Sequence, residues 1–172
     1  MEHPETPDVS PATSRDRRDA GRAAAYREVV ARIGLLLDGE TDWVAAMATV
    51  ASELHAAFEH YDWTGFYRVV APELLKIGPY QGGHGRLVIP FSRGVCGACA
   101  RTGEVQLVAD VEAFPGHIAC AASTRSEIVL PVRDSQGTLI AVFDIDSDRP
   151  AAFTAEDAAE LSRILDRVFG RL

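Results

Sequence analysis

Residues 126–147 read SEIVLPVRDSQGTLIAVFDIDS, two runs of strand formers on either side of a turn-forming RDSQG. The pattern predicts an antiparallel pair of strands. It constrains the chain more than any other stretch, because such a pair is not stable until one face is packed against something else. Alternation along the second run places Ile140, Val142, Asp144 and Asp146 on one face, with Leu139, Ala141, Phe143 and Ile145 on the other. Two acids two residues apart on one face repel each other. Such a pair either meets solvent at a strand end or is kept to bind something cationic.

The hydrophobic period differs on either side of this pair. From about residue 19 to 37, Ala23, Tyr26, Val30, Ile33 and Leu37 recur at helical spacing. DGET interrupts the pattern, and Thr41 suits the N-cap of a second helix carrying Trp43, Met47, Val50, Leu54 and Phe58. YDWTGFYRVV then alternates, so Trp63, Gly65, Tyr67 and Val69 share a strand face. APELL turns into a strand LLKIGPY, which Gly78 and Pro79 are expected to end. RLVIPF and VQLVAD read as short strands, and SRGVCGACARTGE between them as a short helix bounded by Gly94 and Gly103. In the closing helix Thr154 fits the N-cap, Asp157 the capping-box position and Phe153 a staple, with Ala158, Leu161, Leu165 and Val168 as its apolar stripe. Two helices, several strands and a final helix predict an α+β domain with helices on one face of an antiparallel sheet. Residues 82–126 are the least regular part, where binding groups tend to sit.

At 172 residues the chain suits one domain, here residues 19–172, after a polar, disordered tail over residues 1–18. A net charge of −8 argues against sequence-independent binding to nucleic acid. No run is apolar enough for a membrane span, and the N-terminus lacks the apolar core of a secretory signal. Three cysteines do not suggest a disulfide scaffold, and a reducing cytoplasm is the expected compartment.

The chemistry-bearing residues each allow more than one reading. Glu127 is an exposed acid paired with Arg125 or another cation, or a pocket acid with a raised pKa that donates a proton. Trp63 and Tyr67 are core aromatics or the wall of a ligand site. Cys96 and Cys99 form C-G-A-C, and His117 with Cys120 forms H-x-x-C, a set with the composition of a zinc site. The alternatives are buried inert thiols, or a nucleophile at Cys120, carried on a loop near His117.

DWTGFY, IGPYQG, IPFSRGVCG, FPGHIAC, SEIVLPV and DIDSD occur in that order. Together they resemble the free methionine-R-sulfoxide reductases, small stand-alone members of the GAF-domain superfamily, over about residues 26–165. The resemblance implies a GAF fold and reduction of free L-methionine R-sulfoxide, with no cofactor and no metal. It makes Cys120 the nucleophile, leaving a sulfenic acid that a second thiol converts to a disulfide for a thioredoxin-type reductant. It assigns Glu127, Asp144 and Asp146 to the substrate's ammonium group, with Glu127 also the proton donor, and Trp63 and Tyr67 to the S-methyl end. Homodimers also fit the resemblance. One departure stands out: relatives usually carry a cysteine between GPYQG and IPF, where this chain has Arg86. Cys96 is therefore expected to resolve Cys120, with Cys99 as runner-up or relay. Three glycines in residues 82–86 would permit a lid. A GAF sensor without turnover and a zinc-bound structural domain are the rival readings.

Overall fold

The computed structural model describes residues 14–116 and 123–172. Helix α1 (Ser14–Leu36) leads to α2 (Trp43–Ala57), then strands β1 (Trp63–Ala71), β2 (Leu74–Gln81) and β3 (Val88–Pro90). Helix α3 (Gly94–Thr102) and β4 (Gln106–Val108) precede β5 (Ser126–Arg133), β6 (Leu139–Ser147) and α4 (Ala155–Phe169). Among the described residues these strands form one sheet in the order β3-β2-β1-β6-β5-β4, with every neighbouring pair antiparallel.

The two faces of the sheet bury different clusters. On one, Phe66 of β1, Ile128 and Leu130 of β5 and Phe143 of β6 pack against Tyr26, Val29 and Ile33 of α1, Met47 and Leu54 of α2, and Leu161 and Phe169 of α4. Phe66 and Phe143 pack with ring centroids 4.5 Å apart, both fully buried, each contributing about 2–3 kcal/mol by leaving water. On the other face lie Trp63, Tyr67, Val129 and Val142, with Cys96 and Cys99 of α3 among them. Every residue of α3 from Gly94 to Ala100 is buried, which explains why GVCGACA shows no polar stripe. Three helices on one face and a fourth on the other correspond to the expected α+β architecture. Among the described residues, no helix is long and apolar enough to cross a membrane.

Four local expectations need correction. Helix α1 begins at Ser14, five residues before the expected start; residues 1–13 of the expected tail lie outside the described residues. The cap of α2 is Asp42, not Thr41: its carboxylate accepts from the Val44 and Ala45 amides at 2.8 and 3.2 Å. Strand β2 runs through Gly78 and Pro79 because a bulge places these two residues opposite Phe66, so the ladder tolerates a residue with no amide donor. A second irregularity, between Val132 and Arg133, turns Ile140 towards the helix-covered face, away from Val142, Asp144 and Asp146. The capping box of α4 forms as expected, with Thr154 and Asp157 bonding to each other's backbone amides.

Candidate active site

Cross-strand register gathers the acids. Asp146 pairs with Glu127 on one side and Trp63 on the other, and Asp144 pairs with Val129 and Gly65. Directly opposed residues of antiparallel strands face the same way, so Glu127, Asp144 and Asp146 form one patch on the face that α3 covers. All three are buried, at 4%, 0% and 2% exposure. The solvent-facing readings of Glu127 and of the two aspartates are excluded, and Arg125, the suggested cation for Glu127, is exposed.

Burial dominates the electrostatics of the patch. It pushes Glu127 well above the ordinary carboxylate range, and the charges of Asp144 and Asp146 add to the rise. Asp146 is raised by burial and then by Asp144, Asp148 and Asp62. Asp144 is pushed up to about 7 by burial, against hydrogen bonds from Cys96 and Glu127 that favour its charged form. The Glu127–Asp144 hydrogen bond raises the Glu127 carboxyl and lowers that of Asp144, the direction that suits a carboxyl able to act as an acid near neutral pH. The Cys96 thiol donates to Asp144 Oδ2 at 3.3 Å. Asp144 Oδ1 and Asp146 Oδ2 are buried with no hydrogen-bond partner among the described residues. Among the described residues, the groups that shift Asp144 and Asp146 are carboxyls and a thiol. Such a patch calls for a cationic ligand.

Trp63 and Tyr67 stack with centroids 5.6 Å apart, and Tyr80 stacks on Trp63 at 5.4 Å. Two glycines make room for this wall. A Cβ at Gly65 would sit 2.6 Å from the Trp63 ring, and one at Gly85 would sit 2.9 Å from the Tyr67 hydroxyl and 3.0 Å from Trp63. The loop between β2 and β3 thus lies against the aromatics, held by a Trp63 Nε1 hydrogen bond to the Gly83 carbonyl at 3.1 Å. Beside it opens a cleft of about 400 Å³, with Asp146, Trp63, Gly83, His84, Ser123 and Thr124 on its walls. That volume falls within the ~300–1,000 Å³ range of small-ligand sites.

The structure therefore brings together six of the expected residues: Trp63, Tyr67, Cys96, Glu127, Asp144 and Asp146. Cys99 is buried in the same cluster, and burial, then the charge of Asp144, pushes its thiol up to about 12. Arg86 is exposed on the loop before β3. Cys120 and His117 lie outside the described residues, and with them half of the suggested zinc set. The residues flanking that segment stand at the site. The Gly116 carbonyl accepts from the Gly94 amide at the start of α3, and Ser123 lines the cleft. His84, Thr124, Asp62 and Asp148 also line the cleft and were not foreseen. Their sequence signal was weak: Thr124 and Ser123 end an irregular segment just before Glu127, and Asp148 closes the acidic DIDSD run.

Comparison with known proteins agrees with this geometry. A GAF-domain family model matches residues 22–169. The free methionine-R-sulfoxide reductase of Escherichia coli is 37% identical over 140 residues, 81% of this chain and 84% of that protein. A free methionine-R-sulfoxide reductase from Neisseria meningitidis, solved in complex with its substrate, is 40% identical with a TM-score of 0.80, over 93% of this chain and 92% of that one. The corresponding Staphylococcus aureus protein in its reduced form is 32% identical with a TM-score of 0.79, over 83% and 92%. This chain belongs to the GAF-domain family and, within it, to the free methionine-R-sulfoxide reductases.

Proposed function

We propose that this protein reduces free L-methionine R-sulfoxide to L-methionine. The observation that carries the reading is the buried triad Glu127, Asp144 and Asp146, in which Asp144 Oδ1 and Asp146 Oδ2 have no hydrogen-bond partner among the described residues, beside a cleft of amino-acid size. A free amino acid carries an ammonium group for Asp146 at the cleft wall, and a peptide-bound residue does not. Trp63 on the cleft wall, with Tyr67 stacked against it, offers the apolar surface that an S-methyl group requires.

The Cys120 thiolate attacks the sulfoxide sulfur while Glu127 gives its proton to the oxygen. Methionine leaves, the oxygen passes to Cys120 as a sulfenic acid, and the cysteine sulfur is the atom oxidised. Condensation with a second thiol then forms a disulfide and releases water, and a thioredoxin-type dithiol restores both cysteines. Cys96 is the better resolving candidate, since its sulfur already faces the acids through Asp144, whereas the thiolate of Cys99 is disfavoured by burial. A homodimer accompanies the reading as part of the family resemblance.

The test is NADPH consumption coupled through thioredoxin and its reductase. Turnover is expected with free L-methionine R-sulfoxide and not with its N-acetyl derivative. Failure to turn over the free sulfoxide would refute the activity, and equal rates on both compounds would refute the role given to the acids. Mass spectrometry after one turnover is expected to show a Cys96–Cys120 disulfide; a persistent sulfenic acid would remove Cys96 from the scheme.

A further inference from the structure

Behind Asp146, which lines the cleft, the buried patch holds a thiol as well as acids. One ligating atom each from Cys96, Glu127 and Asp144 can be chosen so that all three lie within 4.8 Å of one another. The three residues are buried, at 3%, 4% and 0% exposure. Asp144 uses one oxygen for the Cys96 thiol, and its other oxygen, also buried, has no hydrogen-bond partner among the described residues. Beside it Asp146 Oδ2 is in the same condition, and Asp146 lines the cleft, giving an entry path from solvent.

We infer that Cys96, Glu127 and Asp144 form a binding site for a thiophilic divalent cation of the zinc and cadmium class, with an Asp146 oxygen available as a fourth donor. The donor set decides the class. One sulfur with carboxylate oxygens suits zinc or cadmium, whereas magnesium and calcium take shells of oxygen alone. Size separates the two thiophilic ions. Tetrahedral zinc holds its ligands about 3.5 Å apart, given Zn–S near 2.3 Å and Zn–O near 2.0 Å. Cadmium, the larger ion, needs less contraction of this cluster. Binding breaks the Cys96 S–H and Glu127 O–H bonds, forms one metal–sulfur and two metal–oxygen bonds, and releases two protons to solvent with no change of oxidation state.

The site goes beyond the proposed reduction and does not rest on it, because binding can be read without turnover. If the reduction also holds, metal and substrate exclude each other. The ion takes the oxygens meant for the ammonium group, and it occupies both the proton donor and the resolving thiol.

The test is titration of the reduced full-length chain with Cd²⁺, followed by the ultraviolet thiolate-to-cadmium charge-transfer band. One equivalent is expected to saturate it. The band is expected to vanish in Cys96→Ser, to require more Cd²⁺ in Asp144→Asn, and to persist in Cys99→Ser and Cys120→Ser, with circular dichroism confirming that each variant is folded. Cadmium NMR of the wild type, which depends on no variant, is expected to show one sulfur among oxygen ligands. A wild type without the band, a band that survives Cys96→Ser, or cadmium shifts of a multi-sulfur site would overturn the assignment. Loss of the band in Cys120→Ser would move the ion to Cys96, Cys99, His117 and Cys120, and would equally overturn it.

Discussion

The sheet buries acids on both faces and treats them in opposite ways. On the helix-covered face Asp157 is fully buried, and it accepts hydrogen bonds from the Tyr26 hydroxyl at 2.9 Å, from Arg22 and from the Thr154 amide and hydroxyl. Tyr26 in turn bonds Tyr61, so α1, the turn before β1 and α4 are tied together through one carboxylate. On the α3-covered face Glu127, Asp144 and Asp146 are just as buried, yet they meet one another and a thiol, and two of their oxygens have no partner among the described residues. Burial alone therefore does not mark a functional acid. What distinguishes the second group is the pair of buried oxygens on Asp144 and Asp146 without a partner among the described residues, a partner that the ammonium group of the proposed substrate would supply.

Substitutions on the two faces should accordingly have opposite signatures. The largest effect is expected in Glu127→Gln, which should lower the rate of methionine formation by about 10²- to 10⁴-fold, the usual contribution of a positioned proton donor. Its unfolding free energy should not fall, because an amide is cheaper to bury than a carboxyl among acids. Asp157→Ala is expected to do the reverse. It should cost about 3–5 kcal/mol in urea unfolding, since it breaks a part-buried ion pair and at once removes the Tyr26 hydrogen bond and the capping box of α4, with a cleft that still binds substrate wherever the chain is folded. Equal destabilisation by the two substitutions would break the distinction.

Asp146→Asn should have a smaller effect, raising KM for the free sulfoxide by about tenfold or more, in line with the ~1.5–3 kcal/mol of a hydrogen bond to a charged group. The smallest effect concerns pH. The pKa values of Glu127, Asp144 and Asp146 are raised on folding, so the native state holds extra protons above the ordinary carboxylate range. Their contribution to stability is complete below that range and is lost as the pH rises through the folded values, which for Asp144 is about 7. The melting temperature of the wild type is therefore expected to fall between about pH 5 and 8 relative to a chain carrying Glu127→Gln, Asp144→Asn and Asp146→Asn. Parallel curves would mean that the acids are not strained.

Much of this was legible because strand and helix periods differ. Alternation alone put Asp144 and Asp146 on one face and Trp63 with Tyr67 on another strand's matching face, and the structure joins them through β1–β6 pairing. The capping box at Thr154 and Asp157 is a local pattern, and it forms. Features that depend on distant partners were not legible. Nothing around Tyr26 or Arg22 announces Asp157, more than 130 residues away. Likewise, Cys96 meets Asp144 only because α3 folds back over β6. Bulges also escape local rules: a strict two-residue period puts Ile140 on the wrong face, and Gly78 with Pro79 reads as a strand end where a bulge accommodates both residues.

The most direct test of the account joins Cys120 to the acids. Reduced wild-type protein, mixed with excess free L-methionine R-sulfoxide and no external reductant, is predicted to release one methionine per chain. Cys120→Ser is predicted to release none, and Glu127→Gln to release one, slowly. One equivalent of methionine from Cys120→Ser at the wild-type rate would contradict the account at its centre.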